Sequence, residues 1–296
     1  LVSTIENIVS ESNQYDFKTR NHSLKWLHTF NNDTNLTGRL IHSNYKPQNL
    51  FPEIDSENII RFESQIQYSS AQFEFTNNND EDLTYYSGLE IKRYQISPGS
   101  LDPGSGTTIN PVILDRETGY ESSAYANIDW KPIPNLSISA GLRLTQFTLV
   151  GPFEEAQYDS DGLYDGVKSF GNQETVSNYF NPEPRLGINY KLGEDTSVKM
   201  SYARIFQYIQ NIYNTNTPLP TSRWKISDRY ITPQKNNTFG LGLYQNIPGS
   251  NLELSAEGYY RKTDNNLTYR PGANFFLAEF IENEITQAEG KSYGLE

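Results

Sequence analysis

Residues Leu136-Ser137-Ile138-Ser139-Ala140-Gly141-Leu142-Arg143-Leu144-Thr145 alternate strictly: every even position is apolar and every odd one is small or polar. Successive side chains in a β-strand point to opposite faces, so this segment has one dry face and one wet face. The same beat recurs along the chain. Ala124, Ala126, Ile128 and Trp130 alternate with Tyr125, Asn127 and Asp129. Leu186, Ile188, Tyr190 and Leu192 alternate with Arg185, Gly187, Asn189 and Lys191. Phe239, Leu241 and Leu243 alternate with Gly240, Gly242 and Tyr244, and Leu252, Leu254 and Ala256 with Glu253, Ser255 and Glu257.

Segments such as 59–76 and 252–269 keep strand character well beyond the five or six residues of an ordinary strand. Short turns rich in Asn, Asp, Pro and Gly separate them at 31–35, 77–82, 131–135, 193–196 and 247–250. These turns recur every 50 to 60 residues or so, a regular period. Between each pair lies one long polar segment, at 97–119, 151–181, 210–232 and 270–288. Short turns on one side and long loops on the other predict an all-β, antiparallel up-and-down transmembrane β-barrel, with periplasmic turns and extracellular loops. The competing architecture is a soluble carbohydrate-binding β-sandwich, whose strands also alternate. Repeated long strands argue against it.

Composition agrees. The 296 residues include 21 Tyr and 15 Phe, and aromatics reach 13% in a chain with only 35% hydrophobic residues. Mean hydropathy is −0.67, which suits a barrel that needs apolar side chains on one face only. No apolar run is long enough for a transmembrane helix. Cys is absent, which excludes a disulfide scaffold and thiolate metal sites. The formal net charge of −12 argues against nucleic acid. Phe30, Phe75, Tyr85, Trp130 and Tyr190 gather beside the short turns, as an interfacial girdle would. Two parities slip: continuing the beat through Val198, Met200 and Tyr202 sends Arg204 outward, and apolar parity switches between Leu144 and Phe147. A bulge, or a position above the hydrocarbon, would account for Arg204. Both chain ends fall within strand-like sequence, and we expect them to be cuts and residues 1–296 to be one partial barrel domain.

Several short motifs resemble a family. Tyr125-Ala126-Asn127-Ile128-Asp129-Trp130-Lys131, followed by Gly141-Leu142-Arg143, is similar to the barrel of TonB-dependent receptors of the Bacteroidetes type. Glu183-Pro184-Arg185-Leu186-Gly187, Lys199-Met200-Ser201-Tyr202-Ala203-Arg204, Pro218-Leu219-Pro220-Thr221 with Trp224, Ile231-Thr232-Pro233-Gln234 and Gly290-Lys291-Ser292-Tyr293-Gly294-Leu295-Glu296 continue it in order. The resemblance spans 83–296, and residues 1–82 agree in pattern only. It implies a 22-stranded barrel in the outer membrane of a Gram-negative bacterium, with ten or eleven strands, about half, in this chain. The plug domain, the TonB box and the C-terminal strands of the parent would lie elsewhere. It further implies import of a scarce solute (a siderophore or other metal chelate, a vitamin or an oligosaccharide). The partners implied are outer-membrane lipid, the plug, TonB and, for glycans, a surface lipoprotein.

Candidate ligand contacts in the long loops are Tyr158, Tyr164, Tyr208, Tyr213, Arg223, Trp224 and Tyr230, because aromatic faces stack on sugars and chelates and Arg clamps carboxylates. The alternative is that these rings pack the loops together. Parity turns Glu90, Arg143, Arg185, Lys191, Lys199, Glu253 and Glu257 into the lumen, as a charge network facing the wall and the plug. Asp159, Asp161 and Asp165 have calcium-loop spacing but lack the closing Glu. His22, His28 and His42 show no metal-ligand spacing, and there is no nucleophile elbow, phosphate loop or HExxH. We expect no cofactor and no enzyme. A porin-like passive barrel, or a barrel with an enzymatic site, remains the alternative. Residues 275–286 have the pattern of a short amphipathic helix.

Overall fold

The computed structural model describes residues 14–52, 58–105, 109–213, 222–270, 273 and 277–296. The Pro218–Thr221 motif and the first residues of the chain lie outside them. The strands are β1 Gln14–Thr29, β2 Thr34–Pro52, β3 Ile59–Asp80, β4 Leu83–Asp102, β5 Val112–Ile113, β6 Glu117–Ile133, β7 Leu136–Val150 and β8 Phe153–Tyr158. They continue with β9 Tyr164–Phe170, β10 Thr175–Lys191, β11 Thr196–Gln207, β12 Ile209–Tyr213, β13 Ser222–Ile226, β14 Gln234–Asn246, β15 Glu253–Tyr269 and β16 Ile285–Leu295. Eleven of them form one antiparallel wall in chain order, β1-β2-β3-β4-β6-β7-β10-β11-β14-β15-β16, with β5 added to β4. This is the expected up-and-down barrel wall, open here between β1 and β16. All five short turns fall where the Asn, Asp, Pro and Gly clusters predict them.

Register makes the two faces explicit. Ile138, Ile188, Met200 and Leu241 are successive cross-strand partners, as are Ala140, Leu186, Tyr202, Phe239, Tyr260 and Tyr293. Leu186, Met200, Phe239, Leu241 and Leu243 are all exposed. Exposed apolar rows stacked over many strands are what a hydrocarbon-facing wall requires, and water would penalise them. Ser137, Ser139, Asn189, Lys199 and Glu257 stand on the opposite face. The girdle rings keep outward parity near the turns: Phe75 lies 6.5 Å from Tyr85 and His28 lies 4.5 Å from Phe30.

The parity slips have one explanation, and it is not a bulge. Registers β6–β7 and β7–β10 run unbroken from Arg143 through Leu149, so Phe147 and Leu149 turn inward with Arg143 and Thr145. Both are fully buried, packed with Ile96, Tyr208 and Ile226 in a small core inside the mouth of the wall. Likewise β11 is unbroken, so Arg204 points outward, where its Nε donates to Asn237 Oδ1 at 2.9 Å. About ten residues from the turns the faces exchange character: outside becomes polar and inside becomes apolar. A tilted strand leaves the hydrocarbon after 9 to 11 residues or so, which matches this depth.

The strands also outrun the expected loop boundaries. β4 continues to Asp102 and β10 starts at Thr175, inside segments read from sequence as loops. Above the exchange the alternation that marks a strand fades, although the hydrogen-bond ladder does not. Residues 275–286 do not form a helix over their described part. Only Ile281–Asn283 make a 3-10 turn, and β16 begins at Ile285.

The face assignment predicts asymmetric tolerance. With the wall inserted in a bilayer, Leu241→Arg should cost about 2–4 kcal/mol, whereas Ser139→Arg on the opposite face should be near neutral. Urea unfolding of both variants in vesicles checks this; equal costs would refute the assignment.

Candidate functional site

Two layers carry polar chemistry: a charge network on the inner wall, and a loop layer above it. In the wall, Arg143 Nη2 reaches Glu90 Oε2 at 2.5 Å and Glu121 Oε1 at 3.5 Å. Lys92 Nζ bridges Glu121 at 2.8 Å and Glu90 at 3.3 Å, and Tyr94 Oη donates to Glu121 Oε2 at 2.9 Å. Thr145 Oγ1 donates to Glu183 Oε1 at 2.8 Å. Glu90 and Arg143 therefore meet as their parity implies. Lys92, Glu121 and Glu183 share that parity, and extending the same count along β4, β6 and β10 would have found them. Farther along, Tyr125 Oη donates to Glu74 at 2.8 Å and accepts from Gln72 Nε2 at 2.7 Å. Its ring crosses Gly88, where a Cβ would stand 2.5 Å from the ring carbon and oxygen, so only glycine fits there.

The other lumen candidates are not part of this cluster. Lys199 Nζ sits 4.0 Å over the Tyr244 ring, a cation–π contact. Arg185, Lys191, Glu253 and Glu257 make no ion pair among the described residues.

The loop layer is built from two hairpins folded over the mouth, β8–β9 and β12–β13. Ile226 of β13 is fully buried against Ile96, Phe147 and Leu149, which seats the second hairpin on the wall. A buried triad locks it. Lys225 Nζ donates to Glu117 Oε1 at 2.7 Å and to Asp228 Oδ2 at 2.9 Å. Glu117 Oε2 accepts from the Ile226 amide at 2.8 Å, and Asp228 Oδ1 accepts from the Tyr230 and Ile231 amides, each at 2.8 Å. Burial alone would lower the Lys225 ammonium, but Asp228 and Glu117 outweigh it and hold it above its ordinary value.

Between β5, the segment 114–117, β8, β13 and 277–282 lies a cavity of about 290 Å³, lined by Phe153, Glu155, Arg223, Tyr230, Phe280 and Glu282 among others. Glu155 and Arg223 are 4% and 7% exposed, yet Glu155 Oε1 and Arg223 Nε have no hydrogen-bond partner. Arg223 also bonds the Ala278 carbonyl through Nη1. Burial lowers its guanidinium, and Glu117 and Glu282 oppose this. Burial raises the Glu282 carboxyl, which accepts from Tyr158 Oη at 3.3 Å.

The aromatic candidates sort by position. Tyr230 lines the cavity and donates to the Ala156 carbonyl at 2.9 Å, with Tyr158 edge-on at 5.4 Å. Tyr164 is 57% exposed beside Phe280 at 6.0 Å. Tyr208 is buried, stacked on Phe147 at 4.5 Å, and Trp224 packs against the same core. Arg223, found from sequence only as a clamp, stands in the cavity wall. The Tyr213 side chain lies outside the described residues. The Asp159 carboxylate caps the β8–β9 turn, accepting from the Asp161 and Leu163 amides at 2.9 and 2.8 Å. Among the described residues no group of three His, Cys, Asp or Glu is arranged to hold a metal ion. Glu155 was missed because only the hairpin brings it under the cavity.

An antiparallel wall with an apolar outside, a charged inside and a folded loop layer over one mouth defines a receptor-type β-barrel. The sequence profile described as "TonB dependent receptor-like, beta-barrel" matches residues 3–296. The chain belongs to that family. Among solved structures it is similar to the hemophore receptor HasR of Serratia marcescens (13% identity, TM-score 0.60), covering 96% of this chain and 46% of that one. It is also similar to FpvA of P. aeruginosa, solved with pyoverdines (13%, TM-score 0.59, 94% and 37%). The ferric-catecholate import receptor Fiu of E. coli K12 is a third (14%, TM-score 0.55, 96% and 45%). The chain thus spans less than half the length of these receptors, and at such identities the likeness establishes the fold. No curated protein sequence matches it.

The triad makes a pH-dependent prediction. Removing the ammonium in Lys225→Met leaves Glu117 and Asp228 buried and uncompensated, at about 3–5 kcal/mol for the loop layer. Because the folded value is raised, the Lys225 contribution is complete below the ordinary 10.5 and declines as pH rises above it. Amide exchange in the β12–β13 hairpin of the full-length receptor, compared between wild type and variant at neutral and high pH, reads both effects.

Proposed function

We propose that this chain forms about half the outer-membrane barrel of a TonB-dependent active transporter, whose extracellular loop layer captures a scarce solute for passage through the lumen. The supporting observation is the cavity in the loop layer, which holds two buried side chains of opposite sign, each with one polar atom lacking a partner: Glu155 Oε1, while Oε2 faces Arg229 at 3.8 Å, and Arg223 Nε, while Nη1 bonds the Ala278 carbonyl. Leaving such groups unsatisfied is costly, so a ligand offering one donor and one acceptor gains what the empty cavity lacks. Tyr158, Tyr164 and Tyr230 supply aromatic faces near that cavity for stacking, and Arg223 the clamp. Tyr208 and Trp224 support them from below. Carboxylates outnumber the two cations of the lining, which favours a neutral or positively charged solute group over a bulky anion. The inner-wall cluster around Glu90 and Arg143 faces the space a plug would fill.

The full-length receptor tests this. Solute uptake by cells carrying it should stop when the proton-motive force is collapsed, while a passive porin would continue to equilibrate. Glu155→Gln should weaken solute binding about tenfold or more with the barrel intact, since a charge-assisted hydrogen bond contributes about 1.5–3 kcal/mol. Uptake that persists without energy refutes active transport. An unchanged affinity removes the cavity from the capture site.

A further inference from the structure

The loop-layer cavity gathers more negative charge than its own cations answer. Among the described residues its lining carries seven carboxylates and two cations, Arg223 and Lys225. Lys225 is held internally, by Glu117 at 2.7 Å and Asp228 at 2.9 Å. Five carboxylates then remain for one guanidinium: Asp115, Glu154, Glu155, Glu279 and Glu282.

Of these five only Glu155 is fully withdrawn from solvent, at 4% exposure. Gln157 Nε2 donates to its Oε2 at 2.9 Å, and the exposed Arg229 stands 3.8 Å from the same oxygen, while Oε1 has no partner. Glu155 and Arg223 form no ion pair with each other among the described residues, so neither neutralises the other. A buried carboxylate without a close cation has lost its water and gained little in return, so it favours a cation brought from outside. A carboxylate oxygen only accepts and a guanidinium nitrogen only donates. The occupant that satisfies both atoms must therefore donate at Glu155 Oε1 and accept at Arg223 Nε.

The other kinds of occupant fit less well. A bare metal ion needs several oxygens converging on one point, and among the described residues no group of three His, Cys, Asp or Glu is so arranged. A quaternary ammonium has no N–H for Oε1, and an anion meets the surplus carboxylates. The walls suit a cation on an apolar stem. Phe153 already carries the Lys225 ammonium at 5.0 Å, and the Tyr230 and Phe280 rings line the same space with Leu114 and Leu277. At about 290 Å³ the cavity is near the lower end of small-molecule sites, roughly 300–1,000 Å³, and takes a small solute or one arm of a larger one.

We propose that the captured solute bears a primary or secondary ammonium group that donates to Glu155 Oε1, together with a hydroxyl or carbonyl oxygen that accepts from Arg223 Nε. This rests on the capture reading above and adds to it the chemical class of the solute, an oxygen-bearing amine.

The test titrates the full-length receptor, by ligand-observed NMR, with a matched set built on one three-carbon chain: aminopropanol, its N-trimethyl derivative, propanediol, hydroxypropionate and propylamine. Aminopropanol should bind about tenfold or more tighter than propanediol, as a charge-assisted hydrogen bond to a buried carboxylate implies. The N-trimethyl derivative, which keeps the charge without an N–H, and propylamine, which lacks the oxygen, should each lose most of that advantage. Hydroxypropionate should bind weakest. Glu155→Gln should abolish the preference for aminopropanol over propanediol. Propanediol binding and amide exchange in the β8–β9 hairpin should stay as in wild type, which separates a lost charge from a refolded loop. No binding of aminopropanol, equal binding of propanediol, propylamine or the N-trimethyl derivative, tighter binding of hydroxypropionate, or a preference that survives Glu155→Gln would each overturn the proposal. None of these results bears on whether uptake needs energy. Conversely, uptake that persists without the proton-motive force removes the transport reading and leaves the preference of the cavity for amines intact.

Discussion

A wall that crosses hydrocarbon has no water on which to hang its peptide groups, so every N–H and C=O must find a partner within the wall. In this chain the ladder does so strand by strand, and the architecture follows from it. Neighbouring strands are antiparallel and consecutive because short turns return each strand to its predecessor's side. They are long because they must clear a dry layer before any of them can stop. Register interruptions avoid the apolar rows: those at Trp130/Ile133 and Asn77/Asp80 lie beside short turns, and those at Glu63/Gln65, Thr175/Ser177 and Thr263/Asn266 lie beyond the rows on the loop side. A missing bond there costs little, since water can supply the partner.

The second organising fact is that the surroundings change along each strand while the strand itself does not. Up to Leu144, β7 shows Leu, Ile and Ala outward; beyond it Gln146 and Thr148 point outward, and Phe147 and Leu149 close the mouth. β4 repeats the exchange, with Leu89 and Ile91 outward below and the fully buried Ile96 inward above. Arg204 marks the same boundary on β11. Three apparent irregularities in the alternation are one solvent boundary read in three strands.

That boundary also explains what the sequence discloses. Within the dry layer two solvents act on opposite faces, so residue type follows parity and the wall strands, the five turns and the inward parity of Glu90 and Arg143 are legible. Above it, both faces meet polar surroundings or folded loops. Alternation then loses its meaning, and the upper reaches of β4 and β10 look like loop. The hairpins β8–β9 and β12–β13 escape for a related reason: what holds them is contact with distant strands. Ile226 is understood only beside Phe147, and Lys225 only beside Glu117, more than a hundred residues away. The amphipathic pattern of 275–286 misleads in the same manner, because the buried Ile281 and Ile285 pack on Ile212 and Ile231 from a 3-10 turn and a strand. Tyr208 and Trp224 look like ligand faces in sequence since nothing local shows the core they fill.

Net charge illustrates how an average conceals a partition. A value of −12 describes no surface of this molecule. The inner wall mixes signs closely, with Arg143 and Lys92 held among Glu90 and Glu121, so its field is short-ranged and suited to meeting a partner that is itself polar. The loop cavity concentrates carboxylates and spends its lysine internally, on Glu117 and Asp228. The outer rim holds more cations than acids. The surplus acid is divided among the short turns, the inner wall and the loop layer. A receptor-type barrel touches three media at once, and its charge is intelligible only when counted separately for each of them.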